Sequence, residues 1–268
     1  MKDKVVIITG GSSGIGRALA EEFGAKGSKI LITGRNKQLL EETVSELQNR
    51  KIIIHAFQAD VSKEQDNKAM AEEALRLYAR IDILINNAGI SMRALFSEVD
   101  LEVVRKVMDT NFFGALYATK YCLPEITRNK GSVVGISSIA GFVGLPGRTG
   151  YSSSKFALNG FLGVLRNEHL DTGVHVLTAC PGFTASNIRK HALTKDGHEQ
   201  GESPRTEEKM MTAEECAHHI YKAVLKRKRT LVLTGQGRLA VWLNKWWPSM
   251  ADKLVHYVMA KETNSPIK

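Results

Sequence analysis

Short apolar runs alternate with longer stretches in which apolar residues recur every three or four positions. The runs at 4 to 9, 29 to 33, 52 to 57, 81 to 85, 131 to 136 and 174 to 180, with a seventh near 230 to 234, predict strands. The stretches at 14 to 27, 36 to 49, 63 to 79, 100 to 126, 150 to 172 and 212 to 227 predict helices, with Asn36, Ser62 and Thr212 standing as caps. Repeated strand, helix, strand units specify an α/β fold with a parallel sheet, and strands this apolar need helices on both faces. Residues 194 to 209, TKDGHEQGESPRTEEK, are polar and aperiodic, and are expected to form a mobile excursion and the best lid candidate.

Composition adds one point of interest. The chain of 268 residues is 43% apolar and 24% charged, as in an ordinary soluble domain. Of its net charge of +9, residues 222 to 268 carry +8, from ten Lys or Arg against two acids. The remaining body is nearly neutral, which disfavours nucleic-acid binding and confines the basicity to a C-terminal appendage. Strand pattern begins within four residues of Met1, leaving no room for a secretory signal, so a cytoplasmic location is expected. Cys122, Cys180 and Cys216 are widely spaced and odd in number, and suggest reduced core residues rather than a disulfide framework or a zinc site.

After the first strand comes Thr9-Gly10-Gly11-Ser12-Ser13-Gly14-Ile15-Gly16, leading into a helix. Glycines there allow a sharp turn and close approach of a pyrophosphate, while the helix N-terminus supplies amide donors and a favourable dipole. A glycine turn alone also serves ordinary loops, but its placement between strand and helix favours a nucleotide site. The second strand ends in Thr33-Gly34-Arg35-Asn36, with no carboxylate for ribose hydroxyls. The Arg35 guanidinium could meet the 2′-phosphate of NADP, or could merely cap a solvated loop.

Further segments complete a family pattern. TGGSSGIG at 9 to 16, Asp60-Val61, NNAG at 86 to 89, Asn111, Ser138, YSSSK at 151 to 155 and PGFT at 181 to 184 resemble, over residues 3 to 235, the short-chain dehydrogenase/reductase family. The resemblance implies a doubly wound seven-stranded sheet in the order 3-2-1-4-5-6-7 and a catalytic group of Asn111, Ser138, Tyr151 and Lys155. It also implies a cofactor site formed by Gly10, Ser12, Ser13, Gly14, Ile15, Gly16, Arg35, Asp60, Val61, Asn87, Ala88, Gly89, Tyr151, Lys155, Pro181, Gly182 and Thr184. Asn86 and Asn87 could instead brace the central sheet. Ser137 rivals Ser138, although the family's thirteen-residue spacing to Tyr151 favours Ser138. By the same analogy Asn111 holds a water joining Lys155 to solvent.

The chemistry has its own logic. Tyr151 and Lys155 lie four apart on one helical face. A free phenol titrates near pH ~10, and the charges of Lys155 and oxidised nicotinamide are expected to lower that value toward the working range. Ser138 is expected to hydrogen-bond the substrate oxygen. NADP(H) is the expected cofactor, with NAD(H) left open, because Ser13 replaces the basic residue that many NADP-preferring members carry before the second motif glycine. Arg35 is then expected to carry the phosphate largely alone, with Arg17 or Asn36 as candidate helpers.

Residues 236 to 268 are expected to form an amphipathic helical extension to a catalytic domain at 1 to 235. Leu239, Trp242, Leu243 and Trp246 share one helical face, Pro248 breaks the helix, and Met250, Leu254, Tyr257, Val258 and Lys261 share another. Such faces either pack on the body or a dimer partner, or contact a membrane surface peripherally. The arrangement also resembles, more loosely, the 11β-hydroxysteroid dehydrogenase-like branch, which implies an apolar steroid-like or long-chain carbonyl or alcohol substrate and a homodimer or homotetramer. The competing reading is a non-catalytic dinucleotide sensor or a membrane-surface protein on the same fold.

Overall fold

The computed structural model describes residues 1 to 184, 188 to 204 and 210 to 267. Seven strands form one parallel sheet: β1 (Val5–Thr9), β2 (Lys29–Gly34), β3 (Ile54–Gln58), β4 (Ile83–Asn86), β5 (Ser132–Ile136), β6 (His175–Cys180) and β7 (Thr230–Val232). Their order, 3-2-1-4-5-6-7, reverses direction between β1 and β4, so the crevice where a doubly wound sheet takes its ligand opens there. Because every pairing is parallel, the segments following Thr9, Gly34, Asn86, Ile136 and Cys180 all emerge at one carboxyl edge.

Side chains of successive strand residues alternate between two cores, as the period of a strand requires. Val6 and Ile8 of β1 join Ile30, Ile32 and Ile85 beneath α1 (Gly14–Ala25), α2 (Lys37–Asn49) and α7 (Ala213–Leu225). Ile7, Leu31, Leu84 and Val133 face the other way, toward α3 (Glu64–Tyr78), α5 (Gly114–Arg128) and α6 (Thr149–Glu168). Asn36 caps α2 by accepting from the Leu39 amide, and Thr212 with Glu215 forms a capping box on α7. Ser62 is not a cap: its amide and hydroxyl both donate to Asp60 Oδ1, and Lys63 stands at the start of α3.

The predicted helix at 100 to 126 is interrupted. It divides into α4 (Leu101–Met108), a π-turn at Asp109–Phe113 and α5. The excursion from 194 onward is also more ordered than its polarity suggests. Leu193 pairs with Glu199 in an antiparallel bridge, Gln200 donates to the Ala192 carbonyl, and Leu193 is buried beside Met92. Residues 205 to 209 of the lid candidate lie outside the described residues.

The tail forms α8 (Gly235–Trp246) and α9 (Pro248–Ala260), with Pro248 opening the second helix. Its packing face differs from the expected stripes. Leu243, Ala251, Val255 and Met259 are buried, with Val255 and Met259 against Val143, whereas Leu239, Trp242, Trp246, Met250, Leu254 and Tyr257 remain exposed.

Candidate active site

The glycine turn follows β1 directly. Gly10 and Gly14 hold φ of +64° and +50°, the region where an L side chain is strained. A methyl group at Gly16 would lie 2.1 Å from the Gly10 carbonyl oxygen and 2.5 Å from Asn87 Nδ2, so the turn closes only around glycine. Asn87 braces it, donating from Nδ2 to the carbonyls of Thr9 and Gly10 at 2.9 and 3.0 Å. Thr9 Oγ1 accepts from the amides of Asn87 and Ala88. The Asn87 side chain is thus committed to the turn, and Asn86 donates to Thr119 Oγ1 at 3.0 Å in the sheet. Ser13 precedes α1 with extended backbone and no side-chain cap. Its hydroxyl, and the first amides at Gly14, Ile15 and Gly16, therefore remain available to an anion.

Arg35 is exposed at the end of β2 and shares a cavity of about 260 Å³ with Asp60, Glu102, Arg105, Lys106 and Asp109, of which Arg105 pairs with Glu102. The helpers expected from sequence are engaged elsewhere: Arg17 pairs with Glu46, and Asn36 caps α2. Asp60 binds Ser62, while Val61 is buried against Gly114.

The catalytic candidates converge from three elements. Lys155 and Tyr151 occupy one face of α6, with Nζ 5.7 Å from the centre of the phenol ring. Lys155 also donates to the Ile136 carbonyl at 2.9 Å. A methyl group at Gly89 would stand 3.1 Å from Asn111 Oδ1 and 3.6 Å from Lys155 Nζ, which places the loop after β4 against both. Asn111 lies within the π-turn, a distortion that recurs at functional sites. It accepts from the Ile90 amide at 2.8 Å and donates to the Ile90 carbonyl and to Ser154 Oγ, so its side chain holds the helix to that loop.

Of the two serines after β5, Ser138 is half-buried, accepts from the Ala140 amide at 3.2 Å and lies near enough to Tyr151 to lower its phenol, whereas Ser137 is buried with its hydroxyl toward Cys180. Burial raises the Tyr151 phenol above its ordinary value, opposed by Ser138 and by the charges of Arg148 and Arg189. Burial outweighs the lowering by these neighbours, so the net direction is upward. Burial also pushes Lys155 down to about 8.

Thr184 Oγ1 donates to the Gly182 carbonyl, and Arg189 Nη2 donates to the Thr184 carbonyl at 2.9 Å. Pro181 is buried, and a methyl at Gly182 would meet Thr234 Oγ1 at 2.4 Å. Thr234 has φ +66°, a strained value for a β-branched residue, and its hydroxyl accepts from Gly237 at the start of α8. Arg148, Arg189 and Thr234 escaped the sequence reading. Only Arg148 left a signal there, three residues before Tyr151 and just ahead of its helix.

Fold and site together define a dinucleotide-dependent oxidoreductase architecture, and the chain belongs to the short-chain dehydrogenase/reductase family, matching the short chain dehydrogenase family over residues 4–197. It is 34% identical to Dehydrogenase/reductase SDR family member 7B of Danio rerio over 98% of this chain and 88% of that protein. The Xenopus laevis protein of the same name is 36% identical over 97% and 83%. Among solved structures, a Burkholderia phymatum short-chain dehydrogenase/reductase in complex with NAD shares the fold at a TM-score of 0.83 and 21% identity, covering 93% of this chain and 95% of that one. An alcohol dehydrogenase of Thermococcus sibiricus complexed with 5-hydroxy-NADP gives 0.76 at 22% identity, covering 87% and 96%. The chain is therefore an oxidoreductase of a family that uses NAD or NADP-type cofactors.

Proposed function

We propose that the protein is an NADPH-preferring reductase of an apolar, steroid-like or long-chain ketone or aldehyde, able to oxidise the matching secondary alcohol, with Tyr151 exchanging the proton. The observation that carries this reading is the meeting of Ser138, Tyr151 and Lys155 at the carboxyl edge of the sheet, beside the glycine turn.

The turn from Gly10 to Gly16 would hold the pyrophosphate, Asp60 and Val61 the adenine, Ala88 and Gly89 the ribose, and Pro181, Gly182 and Thr184 the nicotinamide. The missing Cβ at Gly16, which would collide with backbone, fits that cradle. Bound NADP(H) supplies or accepts the hydride. Ser138 donates to the substrate oxygen, and Tyr151 passes its proton to that oxygen in reduction or takes it in oxidation. The half-buried phenol, raised by desolvation, is protonated at neutral pH, which suits the acid role and hence reduction. Lys155, still charged below about 8, and Arg148 stabilise the phenolate left behind.

Arg35, with no carboxylate at the end of β2, supports preference for a 2′-phosphate, with NAD(H) the second cofactor; the cavity beside it carries Lys106 but also Asp60, Asp109 and the paired Arg105 and Glu102. The apolar substrate rests on the resemblance of the tail to the hydroxysteroid-dehydrogenase-like branch; the cavity of about 900 Å³ beside Thr234 joins Phe183, Met211 and Val258 to the polar Gln236, Lys261 and Glu262, so it offers apolar and charged contacts alike. The exposed aromatic face of α8 and α9 supports peripheral membrane contact, and the exposed Phe113, Phe156 and Val164 support a homo-oligomer.

The test is NADPH oxidation by the purified protein against a panel of apolar ketones, with Tyr151→Phe alongside. The variant is expected to bind NADPH normally and to lose at least ~100-fold in turnover. Normal turnover by Tyr151→Phe refutes the proton role. Tight NADPH binding without turnover of any ketone by the unmodified chain points to the dinucleotide sensor instead.

A further inference from the structure

Near the end of the chain, the carboxylate of Glu262 lies between two guanidinium groups. Its Oε2 accepts from Arg148 Nη2 at 3.1 Å and faces Arg93 Nε at 3.7 Å. Arg93 Nη2 also donates to the Thr263 carbonyl at 2.5 Å. The Glu262, Arg148 and Arg93 side chains are only 4%, 10% and 9% exposed. Removing three charges from water costs several kcal/mol for each ion, so a cluster of this kind needs good geometry to persist.

That geometry is built by the backbone. Ala94 bridges Arg148 and donates to the Gly147 carbonyl at 3.1 Å, which sets Arg93 and Arg148 on adjacent segments. Arg148 precedes α6, and its carbonyl accepts from Ser152, so its backbone is fixed to the turn that carries Tyr151. Pro266 packs on Gly147, and Ile267 joins the cluster of Val143 and Met259, which docks the rest of the terminus.

We propose that Glu262 is a positioning residue for Tyr151: it holds the Arg148 guanidinium at the first turn of α6 and tempers that charge, so the chain's own C-terminus sets the electrostatic setting of the phenol. The proposal rests on the reading of Tyr151 as the proton-exchanging group. Among the described residues, the titratable or charged groups around the phenol are Lys155 on α6, Arg148 before it, Cys180 at the end of β6 and Arg189 in the loop that follows. Those that pair with Glu262 among the described residues are Arg93 and Arg148, while Lys261 turns to the Tyr257 ring at 4.0 Å. Arg148 acts on Tyr151 in the direction that favours phenolate. A carboxylate on Arg148 opposes that pull.

The experiment is a tyrosinate absorbance titration of the full-length protein saturated with NADP⁺, isolating Tyr151 by subtracting the Tyr151→Phe counterpart of each variant. Glu262→Gln keeps an acceptor for Arg148 but removes the negative charge, and is expected to lower the Tyr151 midpoint by about one pH unit. Arg148→Gln is expected to raise it by a similar amount, and Arg148→Lys to restore most of the difference. An unmoved midpoint in Glu262→Gln with cofactor binding intact overturns the proposal. Should that variant fail to fold, an unmoved midpoint in Arg148→Gln overturns it equally. Full turnover by Tyr151→Phe would remove the proton role of Tyr151, whereas loss of turnover with unmoved midpoints removes only the role of Glu262.

Discussion

Lys155 donates its ammonium proton to the main-chain carbonyl of Ile136 at 2.9 Å, tying the middle of α6 to the end of β5. The lysine is 4% exposed, so this bond holds a charge that burial disfavours. One side chain therefore serves the site at the expense of the fold.

The cost has a definite pH dependence. Lys155 titrates at about 8 in the folded protein, against 10.5 ordinarily. Below about 8 it is protonated in both states and the folded chain bears the full desolvation penalty. Between about 8 and 10.5 the unfolded chain binds the extra proton, so stability rises with pH. The shift corresponds to about 3 kcal/mol, from which the lost bond to Ile136 subtracts about 1. Lys155→Met is thus expected to be about 2 kcal/mol more stable than the unmodified protein near pH ~6 and to lose that advantage by pH ~10. Urea unfolding at both values measures this, and a variant no more stable at the lower pH would contradict it.

Cofactor choice should respond to charge at the far end of the crevice. Arg35 stands at the end of β2, while Arg17 is paired with Glu46 and Arg105 with Glu102, which leaves Arg35 as the main candidate cation for a 2′-phosphate. A charge-assisted contact to phosphate contributes about 1.5–3 kcal/mol. Arg35→Asp is therefore expected to weaken NADPH ~10- to 100-fold and to leave NADH within about threefold. Fluorescence titration with each nucleotide decides the matter, and equal losses would remove Arg35 from phosphate recognition.

The parts of this architecture that sequence reveals are those governed by local periodicity. Val6, Ile7 and Ile8 read as a strand because both faces of the sheet are buried, and Tyr151 and Lys155 read as a pair because four residues span about one helical turn. The π-turn around Asn111 left no periodic trace, since one inserted residue shifts the helical face without altering composition. The fold of 192 to 201 was hidden for a related reason. Its charged residues stay in solvent while the buried Ala192 and Leu193, and backbone bonds to Ser91, Arg93 and Asp100, anchor it. Glu262 was invisible because its partners lie more than a hundred residues away, where spacing carries no information. Ser138 was separable from Ser137 only weakly by spacing, and burial separates them clearly.

The tail presents the last case, because its apolar residues divide between two surroundings. Leu243, Val255 and Met259 are buried, and Asn244 donates to the Phe142 carbonyl, so α8 and α9 are docked on the body. The opposite face exposes Trp242, Trp246 and Trp247 by 50%, 59% and 53%, flanked by Lys245 and Lys253. Aromatic rings beside lysines suit the boundary of an anionic bilayer, where rings enter the headgroup region and ammonium groups meet lipid phosphates. Serine at both Trp246 and Trp247 is expected to reduce co-sedimentation with phosphatidylserine-containing vesicles at least ~10-fold, since burying each ring contributes about 1.5–3 kcal/mol. Folding stability should change by only ~0.5 kcal/mol per site, because both rings already face solvent. High salt should weaken binding of the unmodified chain further by screening the lysines. If the double variant sediments as well as the unmodified protein, the face is not a lipid contact, and its effect on dimerisation at increasing concentration then shows whether a second copy covers it.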